Sequence, residues 1–114
     1  MKKRVEQMNE VFRRAAAEFI LTELNIPKDI MITAAKAAVS NDLKSLKIYV
    51  SIFPETHRGT GFEILKKNVK GLKEYLSKNI FLRAIPHISY EIDAREDAAD
   101  EVEKLLREIE EEKG

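Results

Sequence analysis

Val5, Met8, Phe12, Ala15 and Phe19 recur at alternating spacings of three and four, and Ile20 and Leu24 extend the same apolar face. That period puts one buried stripe on a helix reaching to about residue 24. Asn25-Ile26-Pro27 stops it, because proline disfavours helical geometry in the residue before it. Residues 30–39 are rich in Ile, Thr, Ala and Val, which suits a buried strand lined by small side chains, although their four alanines keep helix as a competitor. Ser40-Asn41-Asp42-Leu43 supplies turn residues and favours a hairpin. Leu46, Ile48, Val50 and Ile52 then alternate with Lys47, Tyr49, Ser51 and Phe53, the clearest period of two in the chain. Pro54 ends that strand.

Residues 54–61 read as a mobile loop, and helical periodicity resumes from about Phe62 to Ser77. At 100° per residue, Phe62, Ile64, Leu65, Val69, Leu72, Tyr75 and Leu76 share one broad side. Lys66, Lys67, Lys70, Lys73 and Lys78 fall on the other. Gly71 interrupts the run, where glycine costs about 1 kcal/mol relative to alanine, so a kink or a close backbone approach is expected there. Ile88, Tyr90 and Ile92 alternate after Pro86 and predict a third strand, with the proline at an edge, a bulge or the strand's start. Ala98, Val102, Leu105, Leu106 and Ile109 predict a C-terminal amphipathic helix with a Glu-rich outer face. The expected fold class is α+β, in the order α-β-β-α-(kink)-α-β plus a C-terminal helix, with a three-stranded sheet packed against the helices. Residues 1–93 would form one domain, and 94–114 an acidic helix packed on it or appended to it.

Composition changes this picture in two ways. A chain of 114 residues that is 44% hydrophobic can bury one core, and no apolar run approaches a membrane span. Without cysteine there is no disulfide framework, thiol nucleophile or thiolate-bound zinc. The charged start Met1-Lys2-Lys3-Arg4 lacks the apolar core of a signal peptide, so a cytoplasmic location is the simplest reading. The formal net charge of zero conceals a division: residues 1–90 carry 16 Lys and Arg against 9 Asp and Glu, whereas 91–114 carry 4 against 11. A basic body with an acidic end follows.

Candidate chemistry narrows to one surface. His57 and His87 lie in different contexts, a loop and a strand start, with no nucleophile motif, paired-histidine spacing or phosphate-binding glycine loop beside them. Asp42, Asp93 and Asp97 fit turn and capping roles better than a metal cluster. No catalytic residue, metal or cofactor is expected. Between Lys66 and Arg83, by contrast, six cations face one acid, Glu74. Cations three and four apart on a helix spread positive charge along one side, as phosphate neutralisation requires. Arg83, Lys3 and Arg4 would widen the patch. A solvated lysine face on a core helix is the plain alternative, as is a protein-interaction module or homodimer that binds no RNA. The break at Gly71 favours nucleic acid, since helix–glycine–helix pieces expose backbone N–H groups to phosphates.

The element order matches a type II KH fold, in which nucleic acid normally meets a Gly-x-x-Gly loop between two helices. Val69-Lys70-Gly71 stands at that place and resembles the Ala-x-Gly kink of the ribosome-binding factor A family. Val39-Ser40-Asn41-Asp42-Leu43 is similar to that family's Val-Ser-x-Asp-Leu turn, and Lys47-Ile48-Tyr49-Val50-Ser51 to the strand that follows. Leu82-Arg83-Ala84-Ile85-Pro86-His87-Ile88-Ser89-Tyr90, with Asp93 beyond, resembles its last strand, and Lys3-Arg4-Val5 its start. Val69 departs from the family's usual alanine, and the Asp-Pro common after the first helix is absent, Ile26-Pro27 standing nearby. A monomer is expected, and the resemblance implies a late-acting assembly factor that associates with free small ribosomal subunits. It also implies contact with small-subunit rRNA and assistance in rRNA processing, without catalysis. The RNA-contacting set expected from the basic face and its break is Lys66, Lys67, Lys70, Gly71, Lys73, Lys78 and Arg83, with Lys3 and Arg4.

Overall fold

The computed structural model describes residues 2–93; the expected acidic C-terminal helix and Asp97 lie outside the described residues. Helix α1 spans Lys2–Thr22 and buries Phe12, Phe19 and Ile20 of the predicted stripe, with Ala16 fully buried in place of the predicted Ala15, which is half-buried. Strands β1 (Met31–Val39) and β2 (Ser45–Phe53) form an antiparallel hairpin, and β3 (His87–Ile92) adds to β2 in parallel. The sheet order β1-β2-β3 makes β2 central. Its alternation is explained by that position: Leu46, Ile48, Val50 and Ile52 face the helices and are buried. A parallel neighbour requires a crossover, which α2 (Arg58–Lys67) and α3 (Val69–Asn79) provide. No helix among the described residues is long and apolar enough to cross a membrane.

The alanine-rich β1 is a strand because α1 lies against it. Ala34 and Ala37 are buried beside Ala16 of α1, which has no exposed surface at all. Small side chains on both partners let helix and strand approach closely, and tertiary packing overrides alanine's preference for helix. Asn9 of α1 fixes the strand's end, its side-chain oxygen accepting the Val39 N–H at 2.8 Å.

The hairpin turn depends on polar side chains. Ser40 Oγ donates to Asp42 Oδ1 at 2.6 Å, the Lys44 N–H donates to the same oxygen at 3.0 Å, and the Ser45 N–H donates to Ser40 Oγ at 3.0 Å. The Ser40 hydroxyl foremost, then the Lys44 N–H, holds the Asp42 carboxyl below its ordinary value. Leu43 takes a left-handed backbone, φ 60°, to close the turn.

One expected element is corrected. Residues 54–61 are a 3₁₀ turn, Glu55–His57, followed directly by the first turn of α2, not a mobile loop. Two glycines hid the helix start. Gly61 is buried, and a Cβ there would lie 2.8 Å from Ile52 Cγ2, so the bare backbone admits the end of β2 against the helix.

Candidate nucleic-acid interface

α2 and α3 are separated by a single residue, Asn68, with φ −109° and ψ 16°. Its N–H bonds to Leu65 O at 3.1 Å instead of reaching Ile64 O, as a continuing α-helix would require. The carbonyl thus released is taken by Asn68's own amide, Nδ2 donating to Ile64 O at 2.7 Å. The break therefore falls at Asn68, not across Val69-Lys70-Gly71, which form the regular first turn of α3. Sequence reasoning passed over Asn68; its signal was an amide residue, a strong competitor for backbone bonds, inside a helical run. Asn68→Ala is expected to cost about 1 kcal/mol, the usual net worth of such a bond, measured by urea denaturation.

Gly71 has a different reason for being glycine. A Cβ at this position would lie 3.2 Å from Phe19 Cζ and 3.6 Å from Cε2. The glycine admits the Phe19 ring of α1, which also packs on Tyr75 of α3 with ring centroids 5.6 Å apart. Leu65, Leu72 and Leu76 lie fully buried beneath the two helices and fix which side faces out.

Lys66, Lys67, Lys70 and Lys78 are exposed on that outer side and Lys73 is half-buried. Lys66 Nζ sits 6.0 Å from the centroid of the Phe62 ring. Arg83 is exposed in the loop between α3 and β3, and Arg4 is exposed on α1; the Lys3 side chain lies outside the described residues. Among the described residues, none of the six cations from Lys66 to Arg83 takes part in an ion pair. Other basic residues contrast with them. Arg13 and Arg14 both bind Glu10, at 2.7 and 3.0 Å, and pull its carboxyl down to about 2, Arg13 foremost. Lys47 pairs with Glu91 at 3.2 Å across β2 and β3.

The start of α3 sharpens this surface. It has no side-chain cap and no acidic residue in its first turn. Helix N-termini ordinarily carry one or the other, because their first N–H groups lack intrahelical acceptors and the dipole end is positive. Lys66 and Lys67 end α2, where cations are ordinarily favoured, and Lys70 enters α3, so three positive charges gather at the junction. Lysines gathered at a helix start that carries no carboxylate in its first turn suit a phosphate.

The histidines serve structure. His57 Nε2 lies 3.2 Å from Asp29, and the His87 N–H donates to Lys44 O at 2.8 Å. Asp42 braces the turn, and Asp93 is buried at the end of β3 with its N–H bonded to Val50 O. Among the described residues, no three His, Asp or Glu side chains gather as a metal site would need.

Comparison with known proteins agrees with this layout. The family model for ribosome-binding factor A matches residues 4–106. Ribosome-binding factor A of Chlamydia felis is 35% identical over 114 residues, covering 96% of this chain and 93% of its own. Among solved structures, the crystal structure of ribosome-binding factor A from Thermus thermophilus matches with a TM-score of 0.70 at 23% identity, over 77% of this chain and 93% of that one. A homology model of the Thermus thermophilus factor, fitted into the cryo-EM map of a 30S complex with it, matches with a TM-score of 0.64 at 24% identity, over 73% and 88% of the two chains. The fold is that of these factors, α+β and KH-like.

Proposed function

The chain belongs to the ribosome-binding factor A family, and from that premise we propose that it is an assembly factor that binds the small ribosomal subunit through its rRNA. The observation that carries this reading is the α2–α3 junction, a helix start without a side-chain cap, beside lysines that make no ion pair among the described residues. Phosphates of an rRNA segment would approach the start of α3, with Lys66, Lys67 and Lys70 closest. Lys73, Lys78 and Arg83 extend the contact, Arg4 lines one groove with Arg83, and Lys3 is assigned to the contact from the sequence alone. Gly71 acts indirectly, by seating α3 on α1 so that the junction keeps its shape. Val69, half-buried against the core, helps hold that turn.

The mechanism is binding without bond-making. Holding rRNA in one arrangement favours the subunit conformations that contain it, by as much as the protein's differential affinity for them. Processing enzymes would then meet a better-ordered substrate. The protein would work as a cytoplasmic monomer on free small subunits, requiring no cofactor, and leave when the bound arrangement ceases to be available.

Sedimentation of cell extract through a ribosome gradient tests this directly. Co-migration with free small subunits, and absence from translating ribosomes, is the expected result. Absence from every ribosomal fraction would overturn the proposal.

A further inference from the structure

Phe81 is fully exposed although both its neighbours, Ile80 and Leu82, pack partly into the core. Among the described residues, no contact calls for an aromatic ring at this position, and an exposed phenylalanine after a basic helix needs a reason. Beside it lies a groove of about 570 Å³ built from three separate stretches of chain. The start of α1 contributes Arg4 and Met8, the β1–β2 turn contributes Lys44, and the loop after α3 contributes Leu82, Arg83 and Ile85.

The chemistry of this groove is mixed in a particular way. Met8, Leu82 and Ile85 offer apolar surface, while Arg4, Lys44 and Arg83 supply cations. Among the described residues, Asp42 is the one acid in the lining, and its Oδ1 already accepts from the Ser40 hydroxyl and the Lys44 N–H. A surface with an apolar floor, an exposed aromatic edge and a cationic rim matches a group that is flat and apolar on its face but anionic at its margin. An unpaired nucleotide has that form: a base with a π-face, joined to a phosphate. Volumes of roughly 300–1,000 Å³ are typical of sites for small ligands, and the groove falls within them.

We infer that this groove receives one unpaired nucleotide of a single-stranded RNA segment, its base stacked on Phe81 over Leu82 and Ile85 and its phosphate held among Arg4, Lys44 and Arg83. The inference rests on the RNA-binding reading above; it shares Arg4 and Arg83 with that contact but assigns the groove beside them a task of its own. The lysines of α2 and α3 would meet phosphates irrespective of base pairing, whereas the groove would select an unpaired base. Duplex RNA keeps its bases stacked and cannot offer one.

The test uses a short RNA oligonucleotide carrying one 2-aminopurine, free as a single strand and annealed to its complement. Wild type is compared with Phe81→Leu, Phe81→Trp and the triple variant Lys66→Gln, Lys67→Gln, Lys70→Gln. Because Phe81 is fully exposed, leucine removes the aromatic face without disturbing the core. Phe81→Leu is expected to weaken single-strand binding by about tenfold, in the range of one lost base–aromatic stack. It should also reduce the fluorescence change on binding, leave duplex affinity and salt dependence as they were, and be rescued by Phe81→Trp.

Equal single-strand affinity for wild type and Phe81→Leu would overturn the inference. If the triple lysine variant then still lost affinity, the α2–α3 surface would stand without the groove. A triple variant that binds like wild type while Phe81→Leu loses single-strand affinity would leave the groove and overturn the helical face. Wild type that binds neither RNA form would overturn both. Self-association that Phe81→Leu abolishes would assign the groove to a second copy of the chain and overturn the nucleotide.

Discussion

Gly71→Val is expected to lower the stability of the domain by about 2 kcal/mol, within the range for an overfilled core, and to leave the RNA affinity of the folded protein unchanged. The position already allows a Cβ only 3.2 Å from Phe19 Cζ, tight enough that the ring must give by a few tenths of an ångström. Phe19 is buried and packs on Tyr75, so it yields reluctantly. Valine adds two γ-carbons to that crowded boundary between α1 and α3. Its helix propensity exceeds glycine's by only a few tenths of a kcal/mol, too little to offset the overlap. Alanine is the informative contrast: it gains up to about 1 kcal/mol in propensity against a smaller overlap, and should come close to neutral. For a domain of this size, 2 kcal/mol corresponds to a fall of about 8–16 °C in Tm, readable by circular dichroism. If the valine variant instead kept its Tm and lost RNA affinity at a temperature where it is folded, Gly71 would be part of the contact surface itself.

That prediction turns on a distinction the residues alone left open. A glycine within a helical run signals that something comes close, but not whether the neighbour is a side chain of the core or a phosphate from outside. Phe19 is 52 positions away in sequence, and only the packing of α3 on α1 brings the two together. The same limit explains residues 54–61, where Gly59 and Gly61 imitate a loop until Ile52 is seen against Gly61. Where burial follows a regular period, the reading was direct: the alternation in β2 and the three–four spacing of α1 each identify the buried face without tertiary information. The alanines of β1 were ambiguous because their length suits either a strand under a helix or a helix under a strand. For the candidate site, the lysine count and spacing were legible, and so was the family resemblance carried by the turn and strand motifs. The absence of a cap on α3 was not, since it depends on the break falling at Asn68. Nor was the groove beside Phe81, which draws on three segments far apart in the chain.

Replacing Lys66, Lys67 and Lys70 together by glutamine is expected to give the largest loss of RNA binding. Each phosphate contact removed reduces the slope of log K against log salt by about 0.7–0.9, so three removals flatten it by about 2–3. Carried from a 1 M reference to 0.1 M salt, that is a loss of about a hundredfold to several hundredfold, vanishing as salt approaches 1 M. Stability should barely change. All three side chains are exposed and make no ion pair among the described residues, and surface changes of this kind usually stay within about 0.5 kcal/mol. Lys70 allows a finer discrimination, because its charge sits at the positive end of α3. Neutralising it alone should stabilise the fold by a few tenths of a kcal/mol, while lowering RNA affinity at 0.1 M salt by about five- to eightfold. Opposite signs on folding and binding are what a residue placed for a ligand produces, and a lysine that merely solvates a core helix has no binding to lose. Salt titrations with RNA, paired with urea denaturation of the same variants, read both signs. An unchanged slope in the triple variant would remove this surface from the interface.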